Sequence, residues 1–554
     1  DSDDDTDPED EADPPLRRSK RERKPFFPYH YSINAVDDDD ESQPGYWDDA
    51  DAEEIAGLEE MKTWKVIPRS EVPAGHRVLR SHMVRKKKLK ADGTLDRKKS
   101  RFCANGNRQR EGVDYHEVYS PVKRAKSLRD LIGYATKFGV GVRHFDVKQA
   151  FINGVMDTEV YIELPDAVRA RHDENVVGLL LRGLYGTRQA SRLWYQQLHE
   201  FLTSLGYVRF KTDKCIYIKI DGQDQSAIAV NVDDLFTFST NDKLQDELEE
   251  ALRKRYKMTG GELLTWALGM RFVQGLENGV TTIDQESYVL ALLEDYGMHD
   301  CNSAPTPATP SRSLTKPGPV PDDEKAEHAD HHRRYQQLIG SLGWLQSNCY
   351  PEISEAVREL RKYNHHSGKE QWTAAKRVLR YLKGASTFGI RFTKASDMKM
   401  ECYADSNWAA DKDNRRSVSG VFTRFCGGPV WWKSSGQKSV ALSTTEAELM
   451  AACEGAKEIS WERSFLNELG LELKEPTTLF EDNKGCIHLS KHDTFSGATK
   501  HIDLRYHYLN ECIEDGKINV QHLSTIEMIA DVLTKPLPSA RFKKLARRLC
   551  GYEH

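Results

Sequence analysis

The chain has 554 residues, a formal net charge of −6 and 30% charged side chains, a length at which more than one hydrophobic core is expected. Its ten cysteines contain no C-x-x-C pair, which argues against a zinc ribbon or a disulfide-stapled secreted scaffold and for free thiols in a reducing compartment. No apolar run approaches the ~18 residues that cross a bilayer, no signal peptide is legible, and the first residue is not Met, so an intracellular, non-secreted fragment or processing product is expected.

Charge is unevenly placed. Residues 1–55 hold 20 of the 86 acidic side chains and 6 of the 80 basic ones, a local net of −14, which leaves +8 on the rest. A basic body suits a polyanionic partner. Residues 1–53 read as a disordered tail, because DSDDDTDPEDEAD lacks the apolar surface to offset ordering. The basic cluster RRSKRERKP, 17–25, suits a nuclear-import signal, a nucleic-acid contact or a plain linker.

Folding is expected to begin near Glu54. VRKKKLKADGTLDRKKSR, 84–101, reads as a basic hairpin turning at Ala91–Thr94. A helix over 124–138, a strand over 141–147, a helix over 187–205 and a hairpin over 224–240 follow. The Pro/Ser/Thr-rich stretch 301–323 is the clearest internal boundary. Two helical segments, 332–362 and 368–384, come next. A second α/β unit then runs through strands 399–405, 417–425 and 428–433 and a long helix, 444–469. Strand 476–482, a short helix, helix 502–515, strand 517–523 and a final helical stretch complete it.

Two carboxylate sets stand out. AIAVNVDDLFTFS, 227–239, places Asp233 and Asp234 in an apolar run, and VRHFDVKQAF, 142–151, ends a strand at Asp146. Taken alone, an Asp-Asp pair is weak evidence and fits a surface turn better. If the 141–147 strand lies beside the hairpin, however, three carboxylates converge, and they repel one another unless cations bind. Oxygen ligands of this kind suit Mg²⁺, and two ions ~4 Å apart can activate an attacking hydroxyl and hold the leaving oxygen of a phosphoryl transfer. The second set comprises Asp405 in CYADSNWAAD, Glu446 and Glu448 in TTEAELMAACEGA, Asp482 in LFEDNKG and Asp531 in STIEMIADVLTK. Being two apart on a helix, Glu446 and Glu448 cannot share a face.

F-D-V-K-x-A-F followed by a V-D-D hairpin resembles motifs A and C of reverse transcriptases, the copia-type LTR retrotransposon group in particular. RKKSRFCANGNRQREGVDY (97–115), YSPVKR (119–124), LRGLYGTRQASRLW (181–194), LGM (268–270), YQQLIGSLGWL (335–345) and QWTAAKRVLRYLKG (371–384) fit the same group, so the resemblance runs from about Glu54 to the C-terminus. It implies an α+β chain: a right-hand polymerase of fingers, palm and thumb over 54–300, a linker over 301–331, connection helices over 332–397 and an RNase H-like α/β domain over 398–554. Residues 1–53 would be the end of an upstream integrase region.

By the same resemblance, Asp146, Asp233 and Asp234 hold two metal ions. Lys99 and Arg101 grip the incoming triphosphate, Phe151 packs under the sugar and excludes a 2′-hydroxyl, and Gln189 contacts nucleotide and template. Leu268–Met270 lies where the family positions the primer. Asp405, Glu448, Asp482 and Asp531 match the ribonuclease H quartet around two further ions, with Glu448 preferred over Glu446 because E-L-M-A-A follows the catalytic Glu in that fold. DNRRSVSGVF, WWKSSGQKSVALSTTEAE and ATKHIDLRYHY also fit; His501 and His507 in the last are open to a substrate contact, with a structural role preferred. The implied cofactor is Mg²⁺, two ions per site, with Mn²⁺ as the alternative. The implied partners are an RNA template, a DNA primer, the RNA–DNA hybrid and dNTPs, with association to integrase of the same polyprotein and no membrane. The implied location is a cytoplasmic particle and the nucleus.

One position departs from the pattern. The family usually has Tyr or Phe where this chain has Asn231, a side chain too small and polar to pack at a primer end in the same way. The other readings weighed are a catalytically weakened relic that only binds nucleic acid, and a lone nuclease with a structural palm.

Overall fold

In the computed structural model the described residues are 45–89, 95–172, 175–310, 314–319, 325–490 and 500–552. The expected disordered tail up to residue 44 and the hairpin turn at 91–94 lie outside them.

The first helix, α1, spans Asp48–Glu60 and so begins six residues before Glu54. It docks on the basic hairpin formed by β1 (Ser81–Leu89) and β2 (Leu95–Ala104). Side chains alternate between the two faces of such a ribbon. On one face Arg85 and Ser100, which are register partners, both bond Asp51 of α1, and Lys98 Nζ stands 3.5 Å from the Tyr46 ring centroid. The other face carries Lys86 opposite Lys99, with Arg101 two residues on. A short four-stranded sheet drawn from 64–68, 78–79, 161–162 and 176–180 backs this region.

Helix α2 (Ala125–Phe138) precedes β3 (Arg143–Val147), and helix α3 (Ala190–Ser204) precedes β4 (Val208–Arg209). Then come β5 (Ile216–Asp221), β6 (Asp224–Asn231), β7 (Asp234–Ser239), α4 (Asp242–Arg255) and β8 (Met258–Leu263). The strands form one six-stranded sheet in the order β8-β3-β7-β6-β5-β4. The strand ending in Asp146 therefore lies directly beside the Asp-Asp hairpin.

A meander of β9 (Trp266–Ala267), β10 (Met270–Gly275) and β11 (Val280–Asp284) leads to α5 (Glu286–Asp295). Helices α6 (Lys325–Asn348), α7 (Ser354–Arg361) and α8 (Lys369–Gly384) follow. The helix read over 332–362 is two helices. Pro351 has no N–H to give and pushes Tyr350 out of the helical region, to φ −123° and ψ 68°. The described parts of 301–323 are docked rather than free. Ala304 N donates to Arg380 O, Arg377 reaches Thr306 Oγ1, and Gln371 Nε2 donates to Thr315 O. β12 (Ile390–Thr393) then returns to pair with β11, so the segments before and after the linker share one sheet.

The last unit is a five-stranded sheet built from β13 (Met400–Asn407), β14 (Val418–Phe425), β15 (Gly428–Gly436), β16 (Thr477–Glu481) and β17 (Ile518–His522). Its order is β15-β14-β13-β16-β17; the first three strands are antiparallel and the last two join parallel. Helices α9 (Thr444–Glu468), α10 (Lys484–Leu489), α11 (Lys500–Glu514), α12 (Asp531–Thr534) and α13 (Ser539–Leu549) cover it.

Helix α2 joins the two halves. It is buried on nearly every side, which explains why so polar a segment carries paired charges. Arg129 donates to Val430 O, Ser347 O and Asn348 O and lies 4.1 Å over the Trp432 ring, while Lys126 pairs with Glu458 at 2.5 Å. A single apolar cluster runs from this helix through the connection helices to the C-terminal sheet. All ten cysteines are free. Among the described residues, no helix is long and apolar enough to cross a membrane.

Candidate active sites

The palm site is set by strand register. Asp146 on β3 is the direct partner of Asp234 on β7, so both side chains leave the sheet on one face. Asn231 pairs with Asp234, leaving Val232 and Asp233 as the two turn residues. Val232 has φ +61°, a conformation costly for a β-branched residue. Two hydrogen bonds hold it there: Trp194 Nε1 of α3 donates to Val232 O at 2.6 Å, and Val147 N donates to Asp233 O at 2.9 Å. Burial raises the Asp233 carboxyl above its ordinary range, and the charges of Asp234 and Asp146 push the same way. Mutual repulsion of this kind is what a divalent cation relieves, so the three residues fit such an ion.

Cations arrive from the fingers ribbon. Burial lowers the Lys99 ammonium, Arg101 lowers it further, and the charge of Asp146 opposes both. Lys86 and Lys99 face each other in register, a like-charge pair that an anion would stabilise. Arg101 lies 5.1 Å over the Tyr185 ring, and Tyr185 meets Phe151 edge-on at 5.2 Å. Phe151 is half-buried beside this stack. Leu268 and Gly269 both have positive φ, at +53° and +71°, and form the tight turn between β9 and β10.

Gln189 stands elsewhere than expected. It is fully buried; its Nε2 donates to Asp114 O at 2.9 Å and to Thr158 Oγ1 at 3.2 Å, and its Oε1 accepts from Gln109 Nε2 at 2.9 Å. An amide so committed fastens the 105–115 loop to α3 and has no free group for a nucleotide or template base.

In the C-terminal unit, Asp405 ends the inner part of β13, Glu448 sits one turn into α9, and Asp482 follows β16. Among the described residues these three are the one group whose ligand atoms all lie within 4.8 Å of one another. Asp405 is 1% exposed and Glu448 7% exposed. Burial raises both carboxyls; Lys535 and Thr534 pull Asp405 back, while Glu481, Asp405 and Asp482 push Glu448 higher. Glu448 Oε2 and Glu481 Oε2 are buried without a hydrogen-bond partner. Orphaned carboxylate oxygens at the meeting point of three acids fit a divalent cation.

The choice between the two glutamates is explained locally. Ser443 caps α9 by accepting from Glu446 N at 3.1 Å, and the Glu446 carboxylate accepts from Leu442 N, the residue before the cap, at 2.6 Å, so Glu446 is occupied at the helix start. Asp531 is a correction. The first residue of α12, it is fully buried, with Oδ1 2.5 Å from Lys535 Nζ and Oδ2 bonded to Arg541. Paired with two cations, it stands outside the three-carboxylate group; it sits beside Asp405 through Lys535 and through Thr534, whose hydroxyl donates to Asp405. His507 is exposed on α11, and the His501 side chain lies outside the described residues.

Residue-type reasoning did not single out Tyr185, Glu481, Thr534, Lys535 or Arg541. Tyr185 sits inside the LYGTRQA run, so its signal was present. Glu481 immediately precedes Asp482, and only the parallel pairing of β16 with β13 makes that neighbour matter.

A family model described as reverse transcriptase (RNA-dependent DNA polymerase) matches residues 61–310. The retrovirus-related Pol polyprotein from transposon TNT 1-94 of Nicotiana tabacum is 34% identical over 97% of this chain and 41% of its own length. Those from transposons RE2 and RE1 of Arabidopsis thaliana are each 32% identical, over 95% and 91% of this chain and 36% and 34% of their own lengths. This chain therefore spans less than half the length of these relatives. A solved foamy viral protease-reverse transcriptase in complex with dsDNA is similar at a TM-score of 0.46 and 12% identity, over 86% of this chain and 83% of that one. By its sequence relatives and its matching family model, the chain belongs to the retrovirus-related Pol polyproteins of copia-type retrotransposons, in their reverse transcriptase region.

Proposed function

We propose that the chain is an RNA-directed DNA polymerase joined to a ribonuclease H, copying element RNA into DNA and degrading the RNA strand of the resulting hybrid. The observation that carries this reading is the register of Asp146 against Asp234 at the base of the Asp233 turn. Divalent cations, Mg²⁺ or Mn²⁺, would supply Lewis-acid stabilisation of the phosphate oxygens at each site.

Asp146, Asp233 and Asp234 hold the ions at the palm. Lys99 and Arg101 neutralise the incoming triphosphate, Arg101 through its planar fork. Phe151, braced by Tyr185, closes the space where a 2′-hydroxyl would sit. Asp405, Glu448 and Asp482 hold the ions of the nuclease. Asp531, through Lys535, Arg541 and the neighbouring Thr534, orients Asp405 and balances charge. The basic body grips template, primer and hybrid mainly by backbone and sugar, since a copying enzyme must accept any sequence. Action inside the cell, in a particle and in the nucleus, with integrase of the same polyprotein nearby, accords with ten free thiols.

One incubation with an RNA template and a labelled DNA primer, following both strands on a gel, tests the reading. Asp233→Asn should cut extension on the order of 1000-fold and leave hybrid cleavage intact, and Asp405→Asn should do the reverse. Loss of both activities in either variant, or of neither, defeats the assignment.

A weakened polymerase is the second reading, favoured by Asn231 at the strand position before the turn. Asn231→Tyr should raise extension by about 10-fold, roughly 1.4 kcal/mol of barrier. Equal rates in the two chains remove Asn231 from consideration.

A further inference from the structure

The two aspartates of the turn have different surroundings. Asp233 has Arg101 among its charged neighbours. Asp234 faces a histidine that the reaction written above does not use. His144 lies two residues before Asp146 on the same face of β3, and its Nε2 stands 2.7 Å from Asp234 Oδ1. A carboxylate can only accept, so Nε2 carries the hydrogen. The imidazole is itself held: it stacks on Phe236, its register partner on β7, with centroids 5.2 Å apart and planes 21° from parallel. Lys123, from the YSPVKR run, sets its Nζ 5.7 Å from the centre of the same Phe236 ring and has Asp234 among its charged neighbours.

Asp234 also sits in register with Asp146, so without a tether the two like charges would drive its side chain away from the site. The three palm carboxylates do not meet the 4.8 Å mutual spacing of the nuclease group. The palm group therefore needs something besides proximity to fix Asp234.

We propose that His144 is a positioning residue of the polymerase site: by donating Nε2–H to Oδ1 it fixes the Asp234 carboxylate and leaves Oδ2 as the oxygen that meets the ion. The tether has the logic of a hydrogen bond behind a metal-ligating side chain, where losing the partner costs about 10–100-fold in affinity or activity. It makes the palm asymmetric, with Asp234 anchored through a side chain and Asp233 through its backbone carbonyl on Val147 N. This inference rests on the polymerase reading, and its test must be able to fail separately.

The test uses the full chain carrying Asp405→Asn and Glu448→Gln, so that the nuclease group does not compete for ions. His144→Ala and His144→Gln are compared with this parent in two measurements: primer extension across a Mg²⁺ series, and Mn²⁺ binding followed by electron paramagnetic resonance. Thermal midpoints control for folding. His144→Ala should lower kcat by about 10–100-fold, raise the half-saturating Mg²⁺ concentration, leave KM for dNTP unchanged and weaken Mn²⁺ binding. His144→Gln, whose amide N–H can reach the same oxygen, should recover most of each loss. Unchanged kcat and metal demand in His144→Ala, or a glutamine variant no better than alanine, overturns the proposal. If the parent extends no primer, the polymerase reading fails alone. The Mn²⁺ titration then still decides, and equal affinity in parent and His144→Ala overturns the tether.

Discussion

The palm and the C-terminal unit each gather carboxylates, and they do so in opposite ways. At the palm, backbone register brings Asp146 to Asp234, the positive charges come from other segments, Lys99 and Arg101 on the fingers ribbon and Lys123 before α2, and His144 hydrogen-bonds Asp234. In the C-terminal unit, Asp405 and Glu448 are buried and Asp482 half-buried, and the compensating cations, Lys535 and Arg541, come from the same short C-terminal stretch. The first set depends on segments remote in the chain, whereas the second is largely formed within its own unit.

The sharpest way to break this comparison is Asp531→Asn. It leaves Lys535 and Arg541 without their buried partner, so stability should fall by about 3–5 kcal/mol, read as a lowered thermal midpoint. Hybrid cleavage, measured where the variant is folded, should fall far less than in Asp405→Asn. Equal losses would return Asp531 to the ligand set.

Next in size is the pH response. Burial raises Asp405, Glu448 and Glu481 above the ordinary carboxylate range. A proton kept at a pH where a free carboxylate has lost it competes with the cation. Lowering pH should therefore extinguish hybrid cleavage before primer extension. In stability the sign is reversed for the chain without cations. A folded-state carboxyl that titrates above its unfolded value favours the fold at low pH and costs stability as pH rises through that range. Saturating Mg²⁺ should recover the loss, and the recovery should shrink in Asp405→Asn. Thermal melts from pH 5 to pH 8, with Mg²⁺ and with EDTA, read all of this; coincident acid limbs for the two activities would erase the distinction.

The smallest effect sharpens the palm side. Gln189→Ala should cost about 1–3 kcal/mol by stranding buried partners while leaving KM for dNTP unchanged once folded. A raised KM without loss of stability would restore Gln189 as a nucleotide contact.

Much of this was legible in the residues. Alternating apolar strands and turn chemistry placed the basic ribbon, the Asp-Asp hairpin and the C-terminal sheet nearly where they lie. That Asp146 would meet the Asp233–Asp234 turn was readable because a strand ending in Asp and a hairpin turning at Asp-Asp are both legible locally, and the structure pairs them. Gln189 was not, because its burial depends on a loop from 105–115 folding over it. Asp531 was not, because nothing local tells an acid aimed at cations from one aimed at other acids.

By itself, then, the sequence determined which segments are strands and helices and which acids stand at their ends, since periodicity, proline and caps act over a few residues. Only the tertiary structure decided which of those acids meet, which cation faces each, and that β12 closes a sheet begun before the linker. Such outcomes depend on burial and on partners remote in the chain, 88 residues apart for Asp146 and Asp234 and 107 for Ile283 and Ile390, and those are properties of packing rather than of any local stretch.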